Sequence, residues 1–264
     1  MIVKNLYPGA KKRAVTFSYD DGVVEDIRLI EILNKYGLKG SFHINSGRTE
    51  SERKVKLADM ARVYAGHEIS RHTLTHPFIA NCHTEEIIRQ TMEDRRNLEA
   101  AAGYIVRGMS YPYGSVNDKV VDTIRACGIV YSRTTAATNK FSLPENFLRW
   151  HPTCHHKGDI MAKLEPFAKI YSPLPCFYVW GHAYEFPKDD NWGMIEEFCR
   201  EVSTIEDAWF ATNIEIYDYV TALDRLEFSV DGKAVHNPSA VSVWVSDDSE
   251  AVEIVGGGTY LSEK

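Results

Sequence analysis

Two adjacent carboxylates, Asp20 and Asp21, come directly after an apolar run that begins at Ala14, and Gly22 follows them. The run is rich in β-branched and aromatic residues, which favour buried strands. In α/β proteins, functional side chains collect in the loops at the carboxyl ends of strands. Because like charges in one place raise each other's pKa, two neighbouring carboxylates seldom serve stability. The pair indicates chemistry at a strand end, but an Asp-Gly turn that closes a strand explains these residues alone equally well.

Two histidines, His72 and His76, form a second candidate pair. Their spacing can bring both imidazoles to one side of a turn, within reach of one metal ion. Pro77 disfavours α geometry at His76, so we expect one turn or a bent loop rather than a long helix. Loop residues or hydrogen-bonded core histidines are the alternative interpretation of this pair.

Together, the two pairs contain a His, His, Asp ligand set. Three protein ligands and an open position for water form the catalytic arrangement of zinc. Such a site uses both aspartates, because one binds the metal and the other accepts a proton from the attacking water. The apolar run 176–180 leads to Gly181 and His182, which adds an acid–base group at another strand end.

Strand-like and helix-like stretches alternate along the chain and must position these groups. Strands are expected at 14–19, 41–45, 67–72, 104–111, 129–132, 176–180 and 208–211. Helices are expected between them at 24–36, 54–65, 84–102, 117–126, 191–202 and 214–226. This alternation predicts an α/β fold with a parallel sheet and helices outside it, open or closed into a barrel.

The end of the chain has a different pattern. Three short alternating runs follow residue 226, and Asp231-Gly232 is a hairpin signal between two of them. We therefore expect a main domain over residues 1–225 and a small antiparallel β appendage over residues 226–264.

Composition narrows the function classes. The chain has 264 residues, of which 44% are hydrophobic and 25% are charged, as in ordinary globular proteins. A net charge of −7 argues against a general nucleic-acid or anionic-membrane binder, and no apolar segment has the ~20 residues of a membrane span. The five cysteines are scattered, which predicts neither a disulfide framework nor a thiolate zinc site. The first residues contain no apolar core of a signal peptide, so a cytoplasmic location is expected unless an export signal has been removed.

Four stretches, taken in order, resemble the motifs of the polysaccharide deacetylases of carbohydrate esterase family 4, the NodB-homology domain. Those motifs are Thr-Phe-Asp-Asp-Gly, His-Ser/Thr-x-x-His, Arg-Pro-Pro-Tyr-Gly and a strand that ends in histidine. The matching stretches are Ser18-Tyr19-Asp20-Asp21-Gly22, His72-Thr73-Leu74-Thr75-His76, Ser110-Tyr111-Pro112-Tyr113-Gly114 and Val179-Trp180-Gly181-His182. An ordered set of four is much more specific than any one motif.

The resemblance implies a distorted (β/α) barrel of about seven strands and one divalent metal, zinc first, with cobalt, nickel, manganese or iron as alternatives. It implies that Asp20 is the general base and His182 the general acid. The metal ligands would be Asp21, His72 and His76. The backbone N–H of Tyr113 would face the developing oxyanion, and the reaction would be removal of acetyl groups from N-acetylated, or else O-acetylated, sugars or oligosaccharides.

Two departures from the family pattern concern the groups that orient the base and the acid. Ser110 stands where the family has an arginine that holds the base, and Arg107 is the nearest candidate replacement. The family's Asp before Trp, which orients the catalytic histidine, is replaced by Arg149 before Trp150, whereas Glu185 lies close to His182 in sequence. Four residues are predicted to bind substrate, namely Tyr111, Trp150, Trp180 and His155.

The sequence also allows two other functional hypotheses. Hydrolysis of a non-sugar amide, such as a cyclic imide or ureide, is a second enzymatic hypothesis. An idle carbohydrate-binding protein is a third, although retention of all five polar site residues counts against it. A phosphate-cradling Gly-rich loop and a Gly-x-Ser-x-Gly motif are both absent, which argues against phosphoryl transfer and serine hydrolysis.

Overall fold

A curled parallel sheet is the centre of the computed structural model, which describes residues 1–263. The strands are β1 (Ile2–Val3), β2 (Arg13–Asp20), β3 (Gly40–Ile44), β4 (Glu68–Arg71), β5 (Gly108–Ser110), β6 (Tyr131–Arg133), β7 (Cys154–His155), β8 (Cys176–Gly181), β9 (Ala208–Phe210), β10 (Glu227–Phe228), β11 (Ala234–His236), β12 (Val243–Asp247), β13 (Glu250–Ile254) and β14 (Thr259–Leu261). The α-helices are α1 (Asp26–Lys35), α2 (Met60–Val63), α3 (Thr84–Ala102), α4 (Asp118–Ala126), α5 (Leu164–Lys169), α6 (Glu185–Lys188), α7 (Trp192–Ser203) and α8 (Asn213–Asp224).

Strand β2 lies in the middle of the large sheet, whose order is β6-β5-β4-β3-β2-β8-β7. It pairs in parallel with β3 and β8, and β9 pairs with its first residues. Every residue of β2 is buried. A strand covered on both faces needs a near-continuous apolar run, which is the pattern that predicted it.

Residues 150–155 connect the two edges of the curled sheet. Trp150 forms a parallel bridge with Arg133 of β6, while Cys154 and His155 pair with β8. The predicted distorted (β/α) barrel of about seven strands is confirmed as this curled sheet of β2–β8. Because its strands are parallel, their carboxyl ends meet at one mouth.

One predicted helix is much shorter than expected. Helix α2 covers only four residues of the predicted 54–65, after a 3₁₀ turn at Leu57–Asp59. Lys54 instead forms an antiparallel bridge with Val23, and the Val55 N–H donates to the Gly22 carbonyl at 3.0 Å. This pairing holds the segment extended beside the end of β2, so it cannot be helical.

The predicted antiparallel tail is confirmed as two small sheets, ordered β1-β12-β13 and β10-β11-β14. The first strand of the chain thus pairs with the tail rather than with the barrel strands. Val243 and Val245 pack in one apolar cluster with Tyr219 and Leu223 of α8. The domain boundary at 225/226 stays a prediction. Within residues 1–263, no helix combines the length and apolar composition needed to cross a membrane.

Candidate active site

The end of β2 separates the two aspartates. Asp20 is the last strand residue and is buried, whereas Asp21 has φ 82° and is half-buried. Gly22 follows with φ 61°, and a Cβ there would lie 2.9 Å from Ile44 Cγ2. Lys54 Nζ donates to the Asp21 carbonyl at 2.6 Å, which stabilises the turn. Left-handed geometry at a non-glycine residue is costly and is commonly found at functional sites.

His72 and His76 lie on a bent loop after β4, as Pro77 predicts. Thr73 and His76 both have left-handed backbones, with φ 65° and 59°. The His76 N–H donates to Thr73 Oγ1 at 3.1 Å, which closes the bend. The two imidazole rings consequently meet edge to face with their centroids 4.8 Å apart.

Asp21, His72 and His76 form a donor set that fits a divalent cation. Each has one ligand atom within 4.8 Å of those of the other two. The Ser110 hydroxyl donates to Asp20 Oδ1 at 2.9 Å. His72 Nδ1 lies 2.7 Å from that hydroxyl oxygen and 3.0 Å from the Ser110 carbonyl oxygen, and it therefore carries the hydrogen and donates. This tautomer leaves a free lone pair on Nε2. Burial lowers the pKa of His72 and brings that of His76 to about 4, so both imidazoles are neutral at pH 7, the form that binds metals.

Arg133, at the end of β6, holds the Asp20 carboxylate. Its Nη2 donates to Asp20 Oδ2, its Nε donates to Ser18 Oγ at 3.1 Å, and its guanidinium lies over the Trp180 ring at 4.3 Å. Burial alone would raise the pKa of Asp20, but the charge of Arg133 and the nearby histidines hold it well below its usual range. Asp20 is therefore ionised at neutral pH.

The prediction that Arg107 holds the base is wrong. Arg107 forms a two-point ion pair with Asp218, at 2.9 and 2.5 Å. Arg107 directly precedes the amino end of β5, whereas the site lies at the carboxyl end of that strand. Because a strand rises ~3.3 Å per residue, the two ends are about 10 Å apart. Sequence reasoning missed Arg133, although a charged residue at the carboxyl end of a strand was a usable signal.

Glu185, at the start of α6, holds His182. Glu185 Oε2 accepts from the His182 backbone N–H at 3.2 Å and lies 3.4 Å from its Nδ1. His182 Nε2 is then 4.0 Å from Asp20 Oδ2. Burial disfavours the charged imidazole, but Glu185 and Asp20 outweigh it and raise the pKa of His182. Arg149, which stands where the family has its Asp, pairs with Asp118 at 2.5 Å on the surface.

The Glu185 carboxylate also faces three consecutive residues at the end of β7 and directly after it. His155 Nε2 lies at 3.1 Å, His156 Nε2 at 3.4 Å and Lys157 Nζ at 3.0 Å. Glu185 and the two histidines have the spacing of a metal site. However, the Lys157 N–H donates to His155 Nδ1 at 3.2 Å, so His155 Nε2 is the protonated nitrogen and donates to Glu185. His155 and Lys157 therefore hold Glu185 behind His182, whereas neither ring nitrogen of His156 has a hydrogen-bond partner among the described residues.

Two of the four predicted substrate residues lie in the core. Tyr111 is fully buried, and its hydroxyl donates to the Leu148 carbonyl at 2.7 Å. Trp150 is 1% exposed and packs against Tyr178. Neither has a face free for a sugar, so these two predictions are wrong.

The other two predicted substrate residues lie beside the catalytic candidates. Trp180 and His155 meet edge to face with centroids 4.6 Å apart, and Trp180 lies 5.8 Å from the His182 ring. Tyr113 is exposed, has φ 58°, and its ring lies 4.4 Å from that of His76. The roles of these three residues, including the Tyr113 N–H as oxyanion donor, stay predictions.

The chain is similar to known deacetylases. Residues 8–132 match the family model described as polysaccharide deacetylase. A chitooligosaccharide deacetylase from Sinorhizobium fredii is 27% identical over 139 residues, which are 52% of this chain and 63% of the relative. The match thus spans less than two thirds of that curated relative.

Two solved structures share the fold. A Mycobacterium smegmatis protein assigned as a polysaccharide deacetylase aligns with a TM-score of 0.64 and 17% identity over 84% of this chain and 94% of that one. A family 4 acetyl xylan esterase from Clostridium thermocellum, in complex with a cobalt ion, aligns with a TM-score of 0.53 and 16% identity over 78% and 90% of the two chains. With the family match and the ordered motifs, the resemblance drawn from the sequence is confirmed. Residues 8–132, just under half of the chain, match the polysaccharide deacetylase family.

Proposed function

We propose that this protein is a metal-dependent carbohydrate deacetylase that hydrolyses the N-acetyl groups of sugars or oligosaccharides. The observation that carries the proposal is the convergence on Asp20. Its Oδ2 accepts from Arg133 and lies 3.9 Å from His72 Nε2 and 4.0 Å from His182 Nε2. A base, an acid and a three-residue ligand set therefore share one mouth of the barrel.

Asp21, His72 and His76 would hold one divalent ion, with zinc as the first choice for a His, His, carboxylate set. When bound, such an ion activates a water molecule and stabilises negative charge on a carbonyl oxygen. The cobalt complex of the Clostridium relative supports this part of the proposal without identifying the native metal.

Asp20 would accept the proton of the attacking water. Arg133 and Ser110 each donate to a different oxygen of its carboxylate, so the carboxylate cannot rotate away. Holding a base in one orientation lowers the entropic cost of the proton transfer. The Tyr113 N–H would donate to the oxygen on which charge develops.

His182 would donate a proton to the departing nitrogen. An amine is a poor leaving group, so cleavage of an amide needs this acid. Glu185 favours the protonated imidazole and orients it toward Asp20. An ester releases an alcohol more readily, so a raised pKa at His182 is most useful for an N-acetyl substrate.

Acetate release tests the proposal. The purified protein is stripped with a chelator, reloaded separately with zinc or cobalt, and incubated with an N-acetylglucosamine tetramer and with acetylated xylan. We expect metal-dependent acetate release, larger from the tetramer, and none from Asp20→Asn. Full activity of the stripped protein would remove the metal from the mechanism. Ring opening of a cyclic imide or ureide without acetate release from either glycan would instead favour the non-sugar amide hypothesis.

A further inference from the structure

Two exposed aromatic rings stack on each other at the mouth of the barrel. The Phe78 and Tyr113 centroids are 4.0 Å apart and their planes differ by 13°. The two residues are 54% and 55% exposed. The stack adjoins the ligand set directly, because the edge-to-face contact of Tyr113 is with His76.

Hydrogen bonds between the two loops, in addition to the ring contact, hold the stack. The Ala80 N–H donates to Ser115 Oγ at 3.1 Å, and Asn117 Nδ2 donates to the Ala80 carbonyl at 3.2 Å. Ile79, next to Phe78, is fully buried. The loop of His76 is therefore joined to the loop of Tyr113 through Ala80, two residues after Phe78, and this link holds the two rings together.

Packing does not explain why these rings are exposed. Buried aromatics gain from removal of most of their surface from water, but about half of the surface of each of these residues stays exposed beyond their contacts with each other and with His76. An ordered apolar surface that remains open beside a polar site is typical of ligand recognition. The rings carry no charge, and the C–H face of a pyranose ring is an apolar surface of matching shape.

We propose that Phe78 and Tyr113 form a sugar-binding subsite, which holds a pyranose ring next to the ring that is deacetylated. The inference rests on the proposed function for the identity of the reacting sugar. It adds that the substrate is an oligosaccharide of two or more units, and that Phe78 sets the preference for length. The occupant is a neighbouring sugar of the same substrate chain.

Phe78→Ala tests this subsite, and Tyr171→Ala is the matched control because Tyr171 is an exposed aromatic far along the chain from both loops. Loss of one stacking contact should raise KM for an N-acetylglucosamine tetramer by about tenfold, with kcat within about twofold. Hydrolysis of 4-nitrophenyl acetate, which is too small to span the stack, should not change. Phe78→Trp should restore the KM for the tetramer.

Binding gives a readout that is independent of turnover. In the Asp20→Asn background, titration calorimetry with the tetramer should show about tenfold weaker binding when Phe78→Ala is added. Unchanged tetramer binding and KM in Phe78→Ala would overturn the subsite, and so would an equal loss on 4-nitrophenyl acetate, which would indicate a structural effect. If the wild type released no acetate from any glycan, the proposed function would fail, yet weaker tetramer binding by the Phe78→Ala variant would still support the subsite.

Discussion

Arg133 donates a hydrogen bond to Asp20 across 113 positions of the sequence. The two residues end strands that are not neighbours, since β5, β4 and β3 lie between β6 and β2 in the sheet. Curling of the sheet brings them face to face inside the barrel. The small Ser110 side chain at the end of β5 contacts the other carboxylate oxygen. In place of one arginine on β5, this chain uses an arginine from the adjacent strand together with a serine.

Removal of this arginine should affect stability and activity together. Arg133→Ala leaves a buried carboxylate without its charge partner, which we expect to cost about 3–5 kcal/mol of unfolding free energy. Misplacement of the base should lower kcat by about 100-fold. Urea denaturation and acetate release measure the two effects. Arg107→Ala is the control, because its pair with Asp218 is 36% exposed on both sides and should contribute no more than about 1 kcal/mol. Larger losses of stability and activity in Arg107→Ala than in Arg133→Ala would contradict the assignment of Arg133 as the partner of Asp20.

Glu185→Gln should change the pH profile. Glu185 raises the pKa of His182, and a general acid works only below its pKa. Loss of the Glu185 charge lowers that pKa, so the alkaline limb of kcat should move to lower pH. Acid catalysis commonly contributes about 100-fold to a reaction rate, so kcat at pH 8 should fall by up to that factor. The pH dependence of kcat measures the shift, and Glu165→Gln, at an exposed pair with Lys169, should leave it in place. An unmoved limb would exclude Glu185 from this role.

His76→Ala should abolish metal binding without unfolding the barrel, because His76 lies on a half-buried loop rather than in the core. Elemental analysis should find one divalent ion per wild-type chain and almost none in the variant. A ligand that binds only the folded state stabilises it, so we expect zinc to raise the melting temperature of the wild type but not that of His76→Ala. His83→Ala, at the exposed start of α3, is the control. Equal metal content in His76→Ala and wild type would remove His76 from the ligand set.

Trp150 should behave as a core residue and not as a sugar contact. Trp150→Ala removes a side chain packed against Tyr131, Phe147 and Tyr178, at a cost of about 3–5 kcal/mol of unfolding free energy. Trp150→Phe keeps most of the volume and should leave the KM for an oligosaccharide within about twofold. Chemical denaturation and steady-state kinetics separate the two effects. A raised KM in stable Trp150→Phe would restore the substrate role.

The alternation of elements and the polar strand ends were readable from the sequence. Burial on both faces favours a near-continuous apolar run in β2, and the abrupt change to Asp20 and Asp21 marked its tip as a candidate site. The spacing of His72 and His76 is a local feature that brings their rings together, and Pro77 correctly predicted their bent loop. Such features depend on neighbours in the chain, so the sequence alone determines them.

The partner of Asp20 was decided by tertiary structure, whereas Glu185, three residues after His182, was already a local candidate in the sequence. Arg107 is nearer to the motif than Arg133 in sequence, but it lies at the wrong end of its strand. Trp150 has the composition of a sugar platform, yet closure between β6 and β8 buries it. Which side chains meet across a barrel depends on strand order, curl and the end at which each strand opens. Those quantities come from packing of the whole chain, and no local pattern encodes them.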